Sequence, residues 1–147
     1  MTPPTPYEAL GGETGVRRLV DRFYDYMDSL PEAAGIRSLH AKSLRGSRDK
    51  LTLFLSGWFG GPDLYSRKYG HPRLRRRHLP FPIGTDERDQ WMLCMTKALQ
   101  DTDLTAPMRQ QLTQAFWRTA DHLRNQPSRQ ADAAIPVVTI TGQQPDR

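Results

Sequence analysis

The stretch from residue 70 to residue 83 reads GHPRLRRRHLPFPI, and it differs from the rest of the chain in charge and stiffness. Pro80 disfavours helical geometry at the residue before it, and Pro82 keeps the following backbone extended. A short helical turn is therefore predicted to run from Pro72 to His78 and to end there. Because the histidine closes a turn and leads into a stiff exit, its ring direction is fixed by its neighbours.

A histidine that ligates iron needs such a fixed ring, with its second nitrogen donating to a backbone carbonyl one turn earlier. For His78 that carbonyl would belong to Leu74. The alternative interpretation is a basic, solvated hinge, because arginines occupy positions 73 and 75–77. These residues alone leave both interpretations open.

Outside this stretch, proline and glycine divide the chain into segments with helical periodicity. Thr5, Pro6 and Glu8 form the pattern of a helix start, and Gly11-Gly12 ends that short helix. The apolar spacing predicts longer helices over residues 16–30, 44–59, 85–99 and 105–125. Residues 31–42 are expected to form loop or ragged turns, and residues 63–72 mostly loop. Since residues 1–126 show no long period-2 pattern, the predicted fold class is all-α.

The composition fits one globular domain, with 147 residues, 37% hydrophobic and 25% charged. The net charge of +5 is local, because residues 64–85 contain six basic and no acidic side chains and the remainder sums to −1. We expect residues 1–6 to be a flexible leader and residues 127–147 to be disordered. Within that tail, the β-branched window 137–141 could dock on an edge or a partner.

Several classes of site are excluded by the residues present. No two of the four histidines have a recognised zinc spacing, and no glycine-rich phosphate loop occurs. Cys94 is the single cysteine and lies on an apolar helix face, so it is predicted to be inert core. The N-terminus lacks a secretion signal, so we expect a cytoplasmic protein. Outside the tail, no run of residues without a charge is longer than 12, so we expect no membrane span.

The string RHLPFPI at residues 77–83 closely resembles the truncated haemoglobins of group II. The resemblance extends over residues 7–125 and includes, in order, Tyr7-Glu8, Phe23-Tyr24, Phe59-Gly60-Gly61-Pro62, His71-Pro72 and Trp91. It implies a two-over-two helical sandwich around one haem b, formed by residues 7–126. His78 matches the proximal ligand of the haem iron.

The resemblance also implies a polar distal pocket on the other side of the iron. Tyr24 and Trp91 match residues whose O–H and N–H point at a bound diatomic ligand, which carries partial negative charge. His40 stands where the family usually has Tyr or Phe, and it could donate to the ligand or to Tyr24. Ser47 and Leu51 match the two distal-helix positions that face the iron.

The remaining haem contacts follow from the same resemblance. Side chains expected to line the porphyrin are Phe54, Phe81, Ile83 and Met95. Arg77 and Lys50 are expected to pair with the anionic propionates, with Tyr65 as a hydrogen-bond donor. The other arginines between 73 and 77 are expected to form a solvated face.

The function implied is binding of O2 and other small diatomic ligands through an iron held by His78. The ligands admitted include NO, CO, peroxide and sulfide, and redox turnover as a nitric oxide dioxygenase or a peroxidase-like enzyme would involve a reductase. The protein would be a monomer or a homodimer. Two alternatives remain: a basic helical module that binds nucleic acid, motivated by the arginines and a pI near 9.7, and a haem-free helical domain that binds a partner protein.

Overall fold

The computed structural model describes residues 2–126, and within them it contains helices and no strand. The predicted all-α class is therefore confirmed. The predicted tail and its β-branched window lie outside the described residues. In chain order the helices are α1 (Pro6–Leu10), α2 (Gly12–Ser29), a 3-10 turn (Pro31–Ala33), α3 (Ala34–Ser38), α4 (Arg45–Trp58), α5 (Leu64–Tyr69), α6 (Leu74–His78), α7 (Thr85–Gln100) and α8 (Ala106–His122).

The core lies between two pairs of long helices, α2 with α4 and α7 with α8, and α2 also packs on α7. The apolar face predicted for α2 is buried as a continuous stripe at the spacing of one helix face. Its members are Val16, Leu19, Val20, Phe23, Tyr24 and Met27. Within residues 2–126, no helix combines the length and the apolar composition that a membrane span requires.

The first helix begins with both reciprocal bonds of a capping box. The Glu8 amide donates to the Thr5 hydroxyl at 3.1 Å, and the Thr5 amide donates to the Glu8 carboxylate at 3.0 Å. Thr5 and Pro6, which the sequence analysis assigned to the leader, are thus the cap and the first residue of α1. Gly11 has a φ of 103° and ends the helix in the left-handed region, as predicted.

Tyr7 joins α1 to the end of α4. Its amide donates to the Phe59 carbonyl at 3.0 Å, and its ring lies so close to Gly61 that a Cβ there would be 2.5 Å from a ring carbon. The Tyr7-Glu8 motif therefore contacts the Phe59-Gly60-Gly61-Pro62 motif, although the two are far apart in the sequence. Only glycine fits at position 61.

The prediction of mostly loop for residues 63–72 was wrong, because α5 spans Leu64–Tyr69. The segment lacks the apolar period of a buried helix, and its stability comes from aromatic packing. Tyr65 and Tyr69 are one turn apart with ring centroids 5.0 Å apart, and Tyr65 also meets Phe54 of α4 edge-on at 6.2 Å. Gly70, with a φ of 83°, then ends the helix.

The last helix begins as predicted and ends earlier. The Thr105 hydroxyl accepts from the Met108 amide at the start of α8, and the helix stops at His122 instead of Asn125. Beyond it, the amides of Asn125 and Gln126 donate to the Ile83 carbonyl. The chain leaves the helix because these groups bind the segment that follows α6.

Candidate functional site

His78 is the last residue of α6, and its half-buried ring is held by a hydrogen bond along its own helix. Nδ1 lies 2.6 Å from the Leu74 carbonyl oxygen, which is the bond predicted from sequence. Because a carbonyl can only accept, Nδ1 carries the proton and Nε2 of the neutral ring keeps a free lone pair. In the neutral ring the tautomer is thus fixed, and Nε2 has a free lone pair.

Tyr24 lies on the buried face of α2 and is 5% exposed. Its ring meets the His40 ring edge-on with centroids 5.8 Å apart, and the Ser47 side chain lies near its hydroxyl. Burial raises the pKa of Tyr24 to about 12, against smaller opposing effects of Ser47 and the nearby Arg48 charge. The hydroxyl is therefore neutral and remains a proton donor at physiological pH.

His40 follows α3 and is tied to that helix. Its Nδ1 lies 2.9 Å from the Ile36 carbonyl oxygen, so the proton of the neutral ring is on Nδ1. Burial lowers the pKa of His40, the Ile36 bond opposes this, and the charges of Arg37 and His78 lower it further. In this neutral form Nε2 accepts a hydrogen bond, so donation from His40 to a ligand or to Tyr24 would require the doubly protonated ring.

Trp91 and Tyr24 both contact the ring of Phe23. The centroid of the Phe23 ring is 4.9 Å from that of Trp91 and 4.8 Å from that of Tyr24, and Trp91 also contacts Phe116 at 5.6 Å. Among residues 2–126, no group accepts a hydrogen bond from the indole N–H. Leu51 is half-buried and packs against the same core from α4.

A second group of predicted residues gathers around two tyrosines. The Arg77 guanidinium lies 5.9 Å from the centre of the Tyr65 ring, and the Lys50 ammonium lies 5.6 Å from that of Tyr69. Phe54 packs on Tyr65 from the other side. The structure therefore brings both predicted cations to one aromatic cluster.

The three other predicted haem contacts have different environments. Met95 is fully buried in the main core, and Ile83 is 8% exposed. Phe81 is 42% exposed on the stretch that leaves α6.

The chemistry of these groups fits a haem. A neutral imidazole with its Nδ1–H engaged offers Nε2 to iron, and neutral hydroxyl and indole groups lie on α2 and α7. Arg77 and Lys50, near Tyr65 and Tyr69, carry the positive charge that would pair with the carboxylates of the haem propionates.

Comparison with known proteins identifies the family. The model of the bacterial-like globin family matches residues 5–125. The chain belongs to the bacterial-like globins. Its predicted membership of group II is confirmed, because it is 39% identical over 121 residues to the group 2 truncated hemoglobin YjbI of Bacillus subtilis, covering 82% of this chain and 89% of that protein.

Solved structures of this class have the same fold. The cold-adapted truncated hemoglobin of Pseudoalteromonas haloplanktis TAC125 is 46% identical, with a TM-score of 0.82 over 84% of this globin and 99% of that chain. The group II 2-on-2 hemoglobin of Agrobacterium tumefaciens is also 46% identical, with a TM-score of 0.82 over 86% and 98%. The predicted two-over-two sandwich is confirmed. The family supports haem-based binding of small ligands and does not support the nucleic-acid alternative.

Two arginines of this globin have roles that the sequence analysis missed. Arg48 lies 5.8 Å from the centre of the Tyr24 ring and pairs with Asp21 and Asp25 of α2 at 3.0 and 2.9 Å. Arg75 was expected on a solvated face, yet its guanidinium donates to the carbonyl of His122 at 2.6 Å. Both bind partners more than 20 residues away, so no local pattern could reveal them.

Proposed function

We propose that this globin holds a haem b through His78 Nε2 and binds O2 and related diatomic ligands on the opposite side of the iron. The observation that carries the proposal is the 2.6 Å bond from His78 Nδ1 to the Leu74 carbonyl, since it fixes the tautomer that leaves Nε2 for the metal. The family supports the coarser statement that haem-based ligand binding occurs.

A haem, when bound, supplies an iron that holds a diatomic ligand reversibly. His78 sets how strongly electron density is pushed toward that iron, through the partner of its Nδ1–H. The partner is a neutral backbone carbonyl, not a carboxylate. This favours reversible binding over peroxidase-like turnover, and NO dioxygenation by the same pocket would require electrons from a reductase.

On the distal side, Tyr24 and Trp91 are the proposed hydrogen-bond donors. The Tyr24 hydroxyl is kept neutral by its burial, and the Trp91 indole N–H has no acceptor among residues 2–126. Ser47 lies near the Tyr24 hydroxyl, while Nε2 of the neutral His40 ring accepts from a hydroxyl or from water. Leu51 screens the pocket from α4.

Arg77, Lys50 and Tyr65 are the proposed partners of the propionates. The two cations lie on one aromatic cluster, and residues 64–85 contain no acidic side chain that would compete for them. Phe54, Phe81, Ile83 and Met95 are the proposed apolar contacts of the porphyrin.

Replacement of the axial histidine tests the proposal. We expect haem-loaded His78→Gly to lose the iron–histidine stretching band of the ferrous protein in resonance Raman spectra and to regain an axial ligand when imidazole is added. The matched control is His71→Gly, which removes the exposed histidine seven residues earlier and should keep the band. An unchanged band in His78→Gly, or wild-type protein that takes up no haem, would refute the assignment.

A further inference from the structure

The short segment that follows α8 is bonded to the stretch that leaves His78. The Asn125 side-chain N–H2 donates to the carbonyl oxygens of His78 at 3.2 Å and Phe81 at 2.9 Å. Its side-chain oxygen accepts from the Ile83 amide at 2.9 Å. One amide group thus uses two donors and one acceptor on three residues of the same segment.

Backbone bonds continue this attachment. The amides of Asn125 and Gln126 both donate to the Ile83 carbonyl, at 2.8 and 3.0 Å. On the other side, Arg75 of α6 donates to the carbonyls of His122 and Arg124 at 2.6 and 3.2 Å. The helix that carries His78 is therefore held to α8 both before and after the histidine.

The anchor is itself fixed to the core. Asp121, in the last turn of α8, pairs with Arg88 of α7 at 2.7 Å and with Arg124 at 3.0 Å. These ion pairs attach the end of α8, and Arg124 next to Asn125, to α7. A rigid support of this kind is what an oriented ligand needs from the residues behind it.

We infer that Asn125, supported by Arg75, is a positioning residue that fixes the direction of the His78 imidazole. The inference rests on the proposed function, in which His78 Nε2 ligates the iron. The His78 carbonyl belongs to the same residue as the ring, so its bond to Asn125 limits rotation of the backbone at that residue. The Nδ1 bond to Leu74 limits rotation of the ring itself. Together the two hydrogen bonds fix the direction in which His78 Nε2 points.

Two substitutions of Asn125 separate its donors from its acceptor. Asn125→Ala removes the three side-chain bonds to His78, Phe81 and Ile83, together with a longer one from the Gln126 side chain. Asn125→Asp keeps the acceptor for the Ile83 amide and turns a carboxylate oxygen toward two carbonyls. Thr105→Ala is the matched control, since it removes a cap hydrogen bond at the opposite end of the same helix. Full-length protein is used throughout.

The first readout needs no haem. Hydrogen exchange of the Ile83 amide should accelerate about fivefold or more in apo Asn125→Ala, which is roughly the effect of one lost hydrogen bond, and less in Asn125→Asp. Thr105→Ala should leave this amide unchanged. Equal Ile83 exchange in wild type and Asn125→Ala would overturn the inference, because the attachment would then not exist in solution.

The second readout is spectroscopic. In haem-loaded ferrous protein, both Asn125 variants should shift or broaden the iron–histidine Raman band beyond the difference between wild type and Thr105→Ala, and haem release should quicken about fivefold. The inference fails if hydrogen exchange of the Ile83 amide accelerates while the iron–histidine band and the rate of haem release match those of Thr105→Ala. Asn125 would then stabilise the segment without positioning His78. Absence of the band in wild type would instead refute the proposed function, and the exchange result would still stand.

Discussion

Tyr24→Phe removes a single hydroxyl and keeps the ring contacts with Phe23, His40 and Arg48. In the free protein the hydroxyl loses its interaction with the nearby Ser47 side chain, which costs at most about 1 kcal/mol of stability. With a ligand bound, the hydroxyl is the proposed donor to it, and loss of about 1 kcal/mol there speeds O2 dissociation about fivefold. If Trp91 donates independently, the double variant with Trp91→Phe should release O2 about 25-fold faster.

The pKa of Tyr24 adds a test by pH. Because burial raises it to about 12, roughly 0.1% of the hydroxyl is ionised at pH 9, and no step in O2 release should arise from this group between about pH 6 and pH 9. Release is measured by stopped-flow displacement of O2 with CO from reduced, haem-loaded protein.

Tyr26→Phe is the matched control. Tyr26 lies two residues further along α2, and its hydroxyl donates to Asp101 at 2.5 Å. This variant should lose stability without changing O2 release. The reasoning would be refuted if Tyr24→Phe lowered the urea midpoint yet released O2 within about twofold of wild type, or if Tyr26→Phe had the same effect on release.

Two further predictions concern stability. Gly61→Ala should destabilise the protein by about 1–3 kcal/mol, because the new Cβ would lie 2.5 Å from the Tyr7 ring, and urea unfolding should show a much smaller loss in a Tyr7→Ala background. Hydrogen bonds from Tyr26 and Arg22 hold the pKa of Asp101 below its usual range, so their stabilisation is present above about pH 4 and lost as pH falls through the lower folded value. Asp101→Asn should therefore be less stable than wild type at pH 7, and urea titrations should show that difference shrink as the pH falls below about 4.

The local features of this fold could be predicted from sequence. The buried face of α2, the capping box of α1 and the bond from His78 to Leu74 each depend on residues within one or two turns. Spacing and side-chain chemistry determine such contacts directly. The family resemblance then ordered these elements into one domain.

The features that were missed depend on contacts between distant segments. Helix α5 is stabilised by Tyr65 packing on Phe54, and Arg75 looked like a member of a solvated basic run until the end of α8 was placed beside it. The protonated nitrogen of His40 follows from the position of one carbonyl, that of Ile36. A residue pattern carries no information on any of these distances.

The contacts with distant residues also explain why two prolines fit in the RHLPFPI string. In residues 79–83 only Leu79, Phe81 and Ile83 have an amide N–H, and all three are used: Leu79 donates to α6, Phe81 to the His78 carbonyl and Ile83 to Asn125. Pro80 and Pro82 have no N–H that could be left unsatisfied. The segment can therefore stay ordered while Leu79 and Phe81 remain 54% and 42% exposed. A non-proline residue at position 80 or 82 would release the fixed φ, which weakens the support of His78 from a position outside its ring.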